Sequence, residues 1–308
     1  MQAEHSPLGL IARAARRGRR ELRALADRRR RSALQTTPRP ARPQETPDPT
    51  GGAVLVVVAH PDDEVIIAAG LLRRAGRAGV ICVSDGAPRS PRYAESAGFA
   101  SRFELSGVRR AESASALALL GRDIEPQINL GVIDQEITSE LVALARYLAK
   151  AMRSGFTSVV THAYEGGHPD HDAVAFAVHA AAALLRQAGE APPPILEAPV
   201  YNRAGEARAL QAFLPDPDAG PVVTLELTAE ERDLKRRMLL SHATQQHVLG
   251  DFETARELFR LAPRYHFSAS PHAGRLGFEE LPWPVSGRAW LRTAWRAIRE
   301  LALIEELA

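Results

Sequence analysis

Apolar runs and stretches of helical spacing alternate along the chain from residue 53 onward. Short runs rich in apolar and β-branched residues predict strands at 53–59, 80–84, 126–130, 157–162, 195–201 and 222–227. Apolar positions three and four residues apart predict helices at 63–76, 107–120, 138–153, 171–188, 229–246 and 251–260. This alternation predicts an α/β fold with a mostly parallel sheet that is covered by helices on both faces.

The first 52 residues differ in composition from the rest of the chain. Residues 1–42 contain twelve Arg and only three acidic residues, and residues 35–52 contain five Pro. We therefore predict a basic helical extension over 1–34, a Pro-rich linker over 35–52 and a folded domain over 53–308. The extension is either a solvated tail or a segment that contacts an anionic membrane, a polyanion or a partner protein.

Composition limits the class of protein. The net charge is only +2 and its basic part lies in the extension, so no specific nucleic-acid partner is expected. The single cysteine, Cys82, excludes an intramolecular disulfide. No apolar stretch of about 18 residues occurs, and the apolar patch 8–12 precedes the arginines, the reverse of a secretory signal. The expected location is cytoplasmic, with membrane association through the extension left open; the oligomeric state is not indicated.

Two clusters of polar side chains directly follow predicted strands. The segment AHPDDE (59–64) follows the first strand, and YEGGHPDHD (164–172) follows the fourth. In a parallel sheet the carboxyl ends of the strands meet at one edge, where ligands bind. We therefore expect the two clusters to lie close together.

The residue types in these clusters suit a catalytic zinc site. Such a site takes His nitrogen and carboxylate oxygen from three protein ligands and leaves a position open for water. His60 and Asp63 can converge on one ion, and His171 supplies the third ligand. Asp62 is then free to take a proton from the activated water. The alternative for Asp62 and Asp63 is that they only cap the following helix, since acidic residues favour a first turn.

His168 precedes the proposed ligand His171 by three residues. It could donate a hydrogen bond to the developing oxyanion and protonate the leaving amine. Asp170 or another acid could hold this imidazole in the required tautomer.

The two motifs together resemble the PIG-L/LmbE-like family of zinc-dependent deacetylases, which includes enzymes that deacetylate N-acetylglucosaminyl-phosphatidylinositol. AHPDDE (59–64) and the later HPDH (168–171) carry the resemblance. Weaker support comes from SDG (84–86), from Arg109-x-x-Glu112 and from the segments SHATQ (241–245) and YHF (265–267).

The resemblance implies a Rossmann-like, three-layer α/β sandwich and assigns a role to each matching residue. It implies zinc ligands at His60, Asp63 and His171, a general base at Asp62, and an acid at His168 with Asp170 beside it. The residues that it places in contact with substrate are Arg109, Tyr164, Glu165 and His242, with His272 as a further His that could approach the pocket.

The activity that the resemblance implies is hydrolysis of the amide of an N-acylated, typically N-acetylated, amino sugar or glycoconjugate. The cofactor is Zn²⁺, although two His and one carboxylate also accept Fe²⁺. An amidase acting on a thiol conjugate or on an antibiotic-type acyl amide, and a non-catalytic carbohydrate-binding relative, are the alternatives. A dinucleotide-binding protein is disfavoured, because HPDDE stands where G-x-G-x-x-G would follow the first strand.

Overall fold

The computed structural model describes residues 45–204, 208–281, 283 and 285–308. The predicted helix over 1–34 and the first part of the linker lie outside these residues. The domain boundaries, the cellular location of the protein and the contacts of the extension therefore stay predictions. The described end of the linker is bonded to the folded body. The Thr46 hydroxyl donates to the carbonyl oxygen of Pro221 (2.6 Å) and accepts from the N–H of Leu261 (3.0 Å). Within the described residues, no helix has the length and apolar character needed to span a bilayer.

The strands of the described chain are β1 (Ala53–Val58), β2 (Arg77–Pro88), β3 (Gln127–Asp134), β4 (Ser158–His162), β5 (Ile195–Ala198), β6 (Tyr201–Asn202), β7 (Ala209–Leu210), β8 (Val223–Glu226) and β9 (Arg256–Leu261). Seven of them form one sheet in the order β3-β2-β1-β4-β5-β9-β8, while β6 and β7 pair separately. The first five strands in that order are parallel, and β9 runs antiparallel to both β5 and β8. The predicted mostly parallel sheet is therefore confirmed.

Helices cover both faces of this sheet, as the sequence predicts. They are α1 (Asp63–Arg74), α2 (Pro91–Ser96), α3 (Arg102–Ala118), α4 (Leu141–Met152), α5 (Pro169–Gln187), α6 (Ala229–Ser241), α7 (Gln246–Leu249), α8 (Gly287–Glu300) and α9 (Ile304–Leu307). Alternate residues of β1 point to opposite faces. Leu55 and Val57 join the core beneath α4, α5 and α8, whereas Val54, Val56 and Val58 join the core beneath α1, α3 and α6. The result is a three-layer α/β sandwich.

Helix α1, which carries part of the site, is interrupted at Ala68, where the backbone leaves the helical region (φ −145°, ψ 16°). The buried carboxylate of Glu257 on β9 accepts from the two N–H groups of Gly70 (2.8 Å) and Leu71 (3.0 Å). The buried ammonium of Lys235 on α6 lies 2.9 Å from the same carboxylate. A buried ion pair therefore satisfies the backbone groups at the kink.

Two predicted elements differ from the structure. The helix predicted at 251–260 is wrong, because strand β9 occupies its second half. Its Glu, Leu and Arg residues favour a helix locally, but pairing with β5 and β8 and the complete burial of Phe259 override that preference. The single strand predicted at 195–201 is split into β5 and β6 around Pro199, which lacks the N–H needed to continue a ladder.

Candidate active site and metal centre

The predicted site residues lie at the carboxyl ends of adjacent strands. His60 follows β1, Asp63 is the first residue of α1, and His171 lies in the first turn of α5, which follows β4. All three side chains are buried. The strand order brings them together although more than a hundred positions separate the two motifs.

The donor atoms of the three predicted ligands lie close together, and Asp63 turns a different carboxylate oxygen towards each histidine. His60 Nδ1 lies 3.2 Å from Asp63 Oδ2 and 3.2 Å from His171 Nε2, and His171 Nε2 lies 3.4 Å from Asp63 Oδ1. Ligands about 2.0–2.1 Å from a tetrahedral zinc ion stand about 3.3 Å from one another. The spacing and the donor set therefore fit a zinc ion held by these three residues.

His162, the last residue of β4, is a further buried imidazole that sequence reasoning missed. Its ring stacks on that of His171, with centroids 4.0 Å apart and planes 1° apart. Its Nε2 accepts a hydrogen bond from the N–H of Ala59 (2.9 Å), so this lone pair is already used. Burial lowers the pKa of His162 to about 4, which keeps the ring neutral. The stacked ring of His162 therefore holds the ring of the predicted ligand His171 in place.

Asp62 occupies a strained backbone position beside this cluster. Its φ is 134°, a region that non-glycine residues rarely adopt. Its N–H donates to the carboxylate of Glu64 (3.0 Å), which also accepts from the Ser113 hydroxyl (2.6 Å). Its own carboxylate accepts from Arg109 Nη2 (2.9 Å). Burial raises the pKa of Asp62 to about 8, against the opposing charge of Arg109.

Arg109, predicted to contact substrate, borders the cleft but is already bound to the loops around it. Its guanidinium donates to the carbonyl oxygens of Gly86 (2.5 Å) and Pro61 (3.0 Å) as well as to Asp62. Gly86, in the SDG segment, has φ +69°, and a Cβ there would lie 2.6 Å from Arg109 Nη1. The close approach of the guanidinium explains the glycine, and the contacts of Arg109 indicate that it orients Asp62.

His168 lines the cleft with its ring 4.5 Å from that of His60 and 4.4 Å from that of Trp283. Its Nδ1 accepts from the backbone N–H of Asp170 (3.1 Å), so the ring proton lies on Nε2. Burial, with the neighbouring imidazoles, holds the pKa of His168 well below its usual value. A neutral His168 with a free Nε2–H is able to donate to an oxyanion.

The carboxylate of Asp170 does not face His168. It accepts from the N–H groups of Gln135 (2.7 Å) and Ile137 (3.2 Å) and lies 3.5 Å from His60 Nε2. The predicted tautomer control of His168 therefore comes from the backbone of Asp170, because the side chain is committed to the opposite side of the cluster.

Asp134, the last residue of β3, is the second site residue that sequence reasoning missed. Its Oδ1 lies 3.2 Å from His60 Nε2 and its Oδ2 lies 3.8 Å from Arg109 Nη1. A carboxylate on the far nitrogen of a ligating His fixes the orientation of the ring and increases its basicity. The sequence signal was weak, because the third strand was predicted over 126–130 and Asp134 lies four residues beyond that end.

The other predicted substrate contacts lie outside the cleft. The hydroxyl of Tyr164 donates to Ala269 O (2.8 Å), and its ring packs in the core. The carboxylate of Glu165 accepts from the N–H groups of Val200 and Tyr201 (2.8 and 3.0 Å). These contacts make Tyr164 and Glu165 supports of the loops. Neither of the two other histidines lines the cleft: His242 is completely buried, and His272 Nδ1 lies 2.8 Å from the carbonyl oxygen of Ala273.

The cleft itself has a volume of about 150 Å³. Its lining combines the catalytic candidates with apolar side chains; the members are His60, Asp62, Asp63, Ile66, Arg109, Asp134, His168, His171, Tyr201, Gln245, Val248, Leu249 and Phe252. The lining is therefore partly charged and partly apolar.

This fold and this site define an α/β protein with a buried two-His, one-carboxylate cluster at the carboxyl edge of its sheet. The model of the family described as PIG-L, GlcNAc-PI de-N-acetylase, matches residues 55–182, which contain both motifs. This part of the chain is therefore similar to the PIG-L family, and the resemblance predicted from the motifs is confirmed.

Solved structures share the fold. The A40926 pseudoaglycone deacetylase Dbv21 is 23% identical, with a TM-score of 0.54 over 70% of this chain and 97% of its own. The zinc-inhibited form of the teicoplanin deacetylase Orf2 is 17% identical, with a TM-score of 0.52 over 68% of this chain and 98% of its own. At these identities the likeness concerns the architecture. No curated protein matches the chain.

Proposed function

We propose that this protein is a metal-dependent hydrolase that cleaves the amide of an N-acylated amino sugar or glycoconjugate and releases a carboxylate and a free amine. The observation that carries the proposal is the convergence of His60, Asp63 and His171, whose donor atoms lie 3.2–3.4 Å apart. The family is described as a de-N-acetylase, and both similar structures are described as deacetylases, which supports the reaction type.

Each group of the site has a separate role in amide hydrolysis. A zinc or ferrous ion held by the three ligands would polarise the acyl oxygen and make water a stronger acid. The positive charge of a bound ion would favour the ionised carboxylate of Asp62, which Arg109 orients and which takes a proton from the attacking water. The Nε2–H of His168 donates to the oxyanion that develops on the amide oxygen, and the proton that Asp62 took from water passes to the departing nitrogen.

His60 and its neighbours keep this arrangement rigid. Asp134 and Asp170 lie 3.2 and 3.5 Å from the outer nitrogen of His60, and His162 stacks under His171. Side chains that are held by several contacts need little reorganisation when the substrate binds, which lowers the barrier to the chemical step.

A screen for amine release tests the proposal. Protein freed of metal with a chelator and then reloaded with zinc or ferrous iron is incubated with N-acyl glucosamine conjugates, with thiol conjugates and with acylated antibiotic-type amides. We expect primary amine to appear only after reloading. Binding of sugar conjugates without amine release under either metal would indicate a carbohydrate-binding protein and contradict the proposal.

A further inference from the structure

A second cavity of about 290 Å³ adjoins the catalytic cleft. Tyr201 and Val248 line both, so the two spaces share a wall. The ring of Tyr201 lies 5.4 Å from that of the predicted ligand His171. A group that starts at the metal centre and passes Tyr201 therefore enters this second cavity, called here the β5-side cavity.

Glycines at the floor of the β5-side cavity create its shape. A Cβ at Gly167, directly before His168, would lie 1.9 Å from the carbonyl oxygen of Tyr201 and 2.7 Å from its ring. Gly277 lies against the same loop, since its N–H donates to Gly166 O (2.8 Å). The glycines thus let Tyr201 approach the HPDH segment.

The wall of the β5-side cavity carries apolar side chains that are partly exposed. Leu281 is 47% exposed and Val248 is 38% exposed, and Val248 also lines the catalytic cleft. The charges at its rim are engaged: Arg203 pairs with Glu280, and the guanidinium of Arg208 lies 4.4 Å above the Tyr201 ring. Apolar surface exposed beside a catalytic centre is typical of a binding site for an apolar ligand group.

The strand order places opposite chemistry on the two sides of the metal centre. The ligands lie above β1 and β4, Asp134 and Arg109 lie towards β3 and β2, and Tyr201 follows β5. The β3 side therefore presents a carboxylate and a guanidinium. The β5 side presents the Tyr201 ring and the aliphatic side chains of Val248 and Leu281, beside charged groups that are paired with one another or stacked on that ring. An amide held across the centre must put one of its two substituents on each side.

From this we propose that the β5-side cavity binds the acyl chain of the substrate, and that the preferred substrate is an amino-sugar amide of a medium-chain fatty acid in place of acetate. The inference rests on the proposed hydrolase function. A sugar carries several hydroxyls that need polar partners, whereas the free surface of the β5-side cavity is apolar because its charged side chains are already paired. The acyl chain needs none. In the reaction water adds its oxygen to the acyl carbon, the C–N bond breaks, and the nitrogen gains the proton, so a medium-chain carboxylate and the free amino sugar leave.

A homologous series of N-acyl glucosamines tests the chain preference. Each methylene that is fully removed from water contributes about a fourfold gain in kcat/KM. We expect kcat/KM of the zinc-loaded protein to rise at least tenfold from acetyl to octanoyl. A matched series of alkyl glycosides of N-acetylglucosamine should show no such rise. A flat acyl series, or a gain confined to the alkyl glycosides, would overturn the assignment of the cavity to the acyl chain.

A pair of variants locates the effect. Leu281→Asp places a charge in the β5-side cavity and should lower the ratio of octanoyl to acetyl kcat/KM at least tenfold. Leu240→Asp is the matched control, because Leu240 is 64% exposed on α6 and lines neither cavity. An equal ratio in the two variants would contradict the proposal.

Binding of the carboxylate product separates this inference from the proposed function. In calorimetric titration of the zinc-loaded protein we expect octanoate to bind at least tenfold more tightly than acetate, with the difference lost in Leu281→Asp. Hydrolysis of the acetyl compound without tighter binding of octanoate would overturn only the inference that the β5-side cavity binds the acyl chain. Absence of hydrolysis of every amide would overturn the proposed function, and the titration would still decide what the cavity binds.

Discussion

Replacement of Asp62 should separate turnover from metal binding. Asp62 lies beside the donor cluster, held by Arg109, while the three ligand atoms belong to other residues. We expect Asp62→Asn to keep its metal content and to lose roughly 10²- to 10⁴-fold in kcat, the range usual for a general base. We expect His171→Ala to lose the metal itself.

The measurement is metal content by elemental analysis together with the rate of amine release. Asp218→Asn serves as the control, because Asp218 is an exposed acid that does not line the cleft. Full activity of Asp62→Asn on a good substrate would show that another group takes the proton from water.

The side chains that sequence reasoning identified are those that stand in dense motifs. His60, Asp63 and His171 follow strands within runs of polar residues, and the strand-end rule for parallel sheets then places them together. His162 and Asp134 also end strands, but neither lies in the two dense motifs, and Asp134 lies beyond the predicted end of the third strand. A single residue of this kind is indistinguishable in sequence from a satisfied polar group, so only the fold reveals its neighbours.

His179, a buried histidine in the second half of α5, should make the free energy of unfolding decrease as the pH becomes acidic. Burial lowers the pKa of His179 to about 3, with a smaller effect of Arg186 in the same direction. In the unfolded chain His179 therefore binds a proton near pH 6.5, whereas in the folded chain it binds one only near pH 3. The stability that the neutral ring contributes is present above pH 6.5 and is lost as the pH falls.

The expected slope from this residue is at most about 1.4 kcal/mol per pH unit between those values. Urea unfolding at pH 7, 6 and 5 measures it, and His179→Phe, which keeps the ring's contacts with Tyr265 and Phe267, should flatten the slope. An unchanged slope in that variant would assign the acid sensitivity to other groups.

At the scale of elements, the ion pair between α6 and β9 holds the kinked helix α1. Lys235 Nζ donates to Ile66 O (2.8 Å) and to Glu257 (2.9 Å), and all of these groups are buried. Removing one partner leaves an uncompensated buried charge. We expect Lys235→Met to lower the free energy of unfolding by about 3–5 kcal/mol.

The double variant Lys235→Met/Glu257→Gln should recover part of this loss. Its amide is neutral and can still accept one of the hydrogen bonds now made to Gly70 and Leu71. Urea unfolding of the two variants, with exposed Lys150→Met as the control, measures the difference. A loss below about 1 kcal/mol in the single variant would show that water replaces the pair.

Elements were predictable where the local pattern and the tertiary context agree. Strand β1 is apolar throughout because it lies at the centre of the sheet between β2 and β4. Strand β9 was missed because RELFRL has the composition of a helix, and its extended form depends on partners that lie some thirty and sixty positions earlier in the chain. Pairing over such distances leaves little trace in a single segment.

At the scale of the whole molecule, metal binding should stabilise the fold as well as activate it. The ligands come from the segment after β1 and from α5, so one ion links two βα units of the sheet. An ion that binds only the folded chain adds RT ln(1 + [metal]/Kd), about 2.7 kcal/mol at a hundredfold excess over Kd. Zinc added to chelator-treated protein should therefore raise Tm by several degrees in the wild type and leave His171→Ala unchanged. An equal rise in both would mean that zinc binds elsewhere, and the three buried donors would then lose their role as the metal centre.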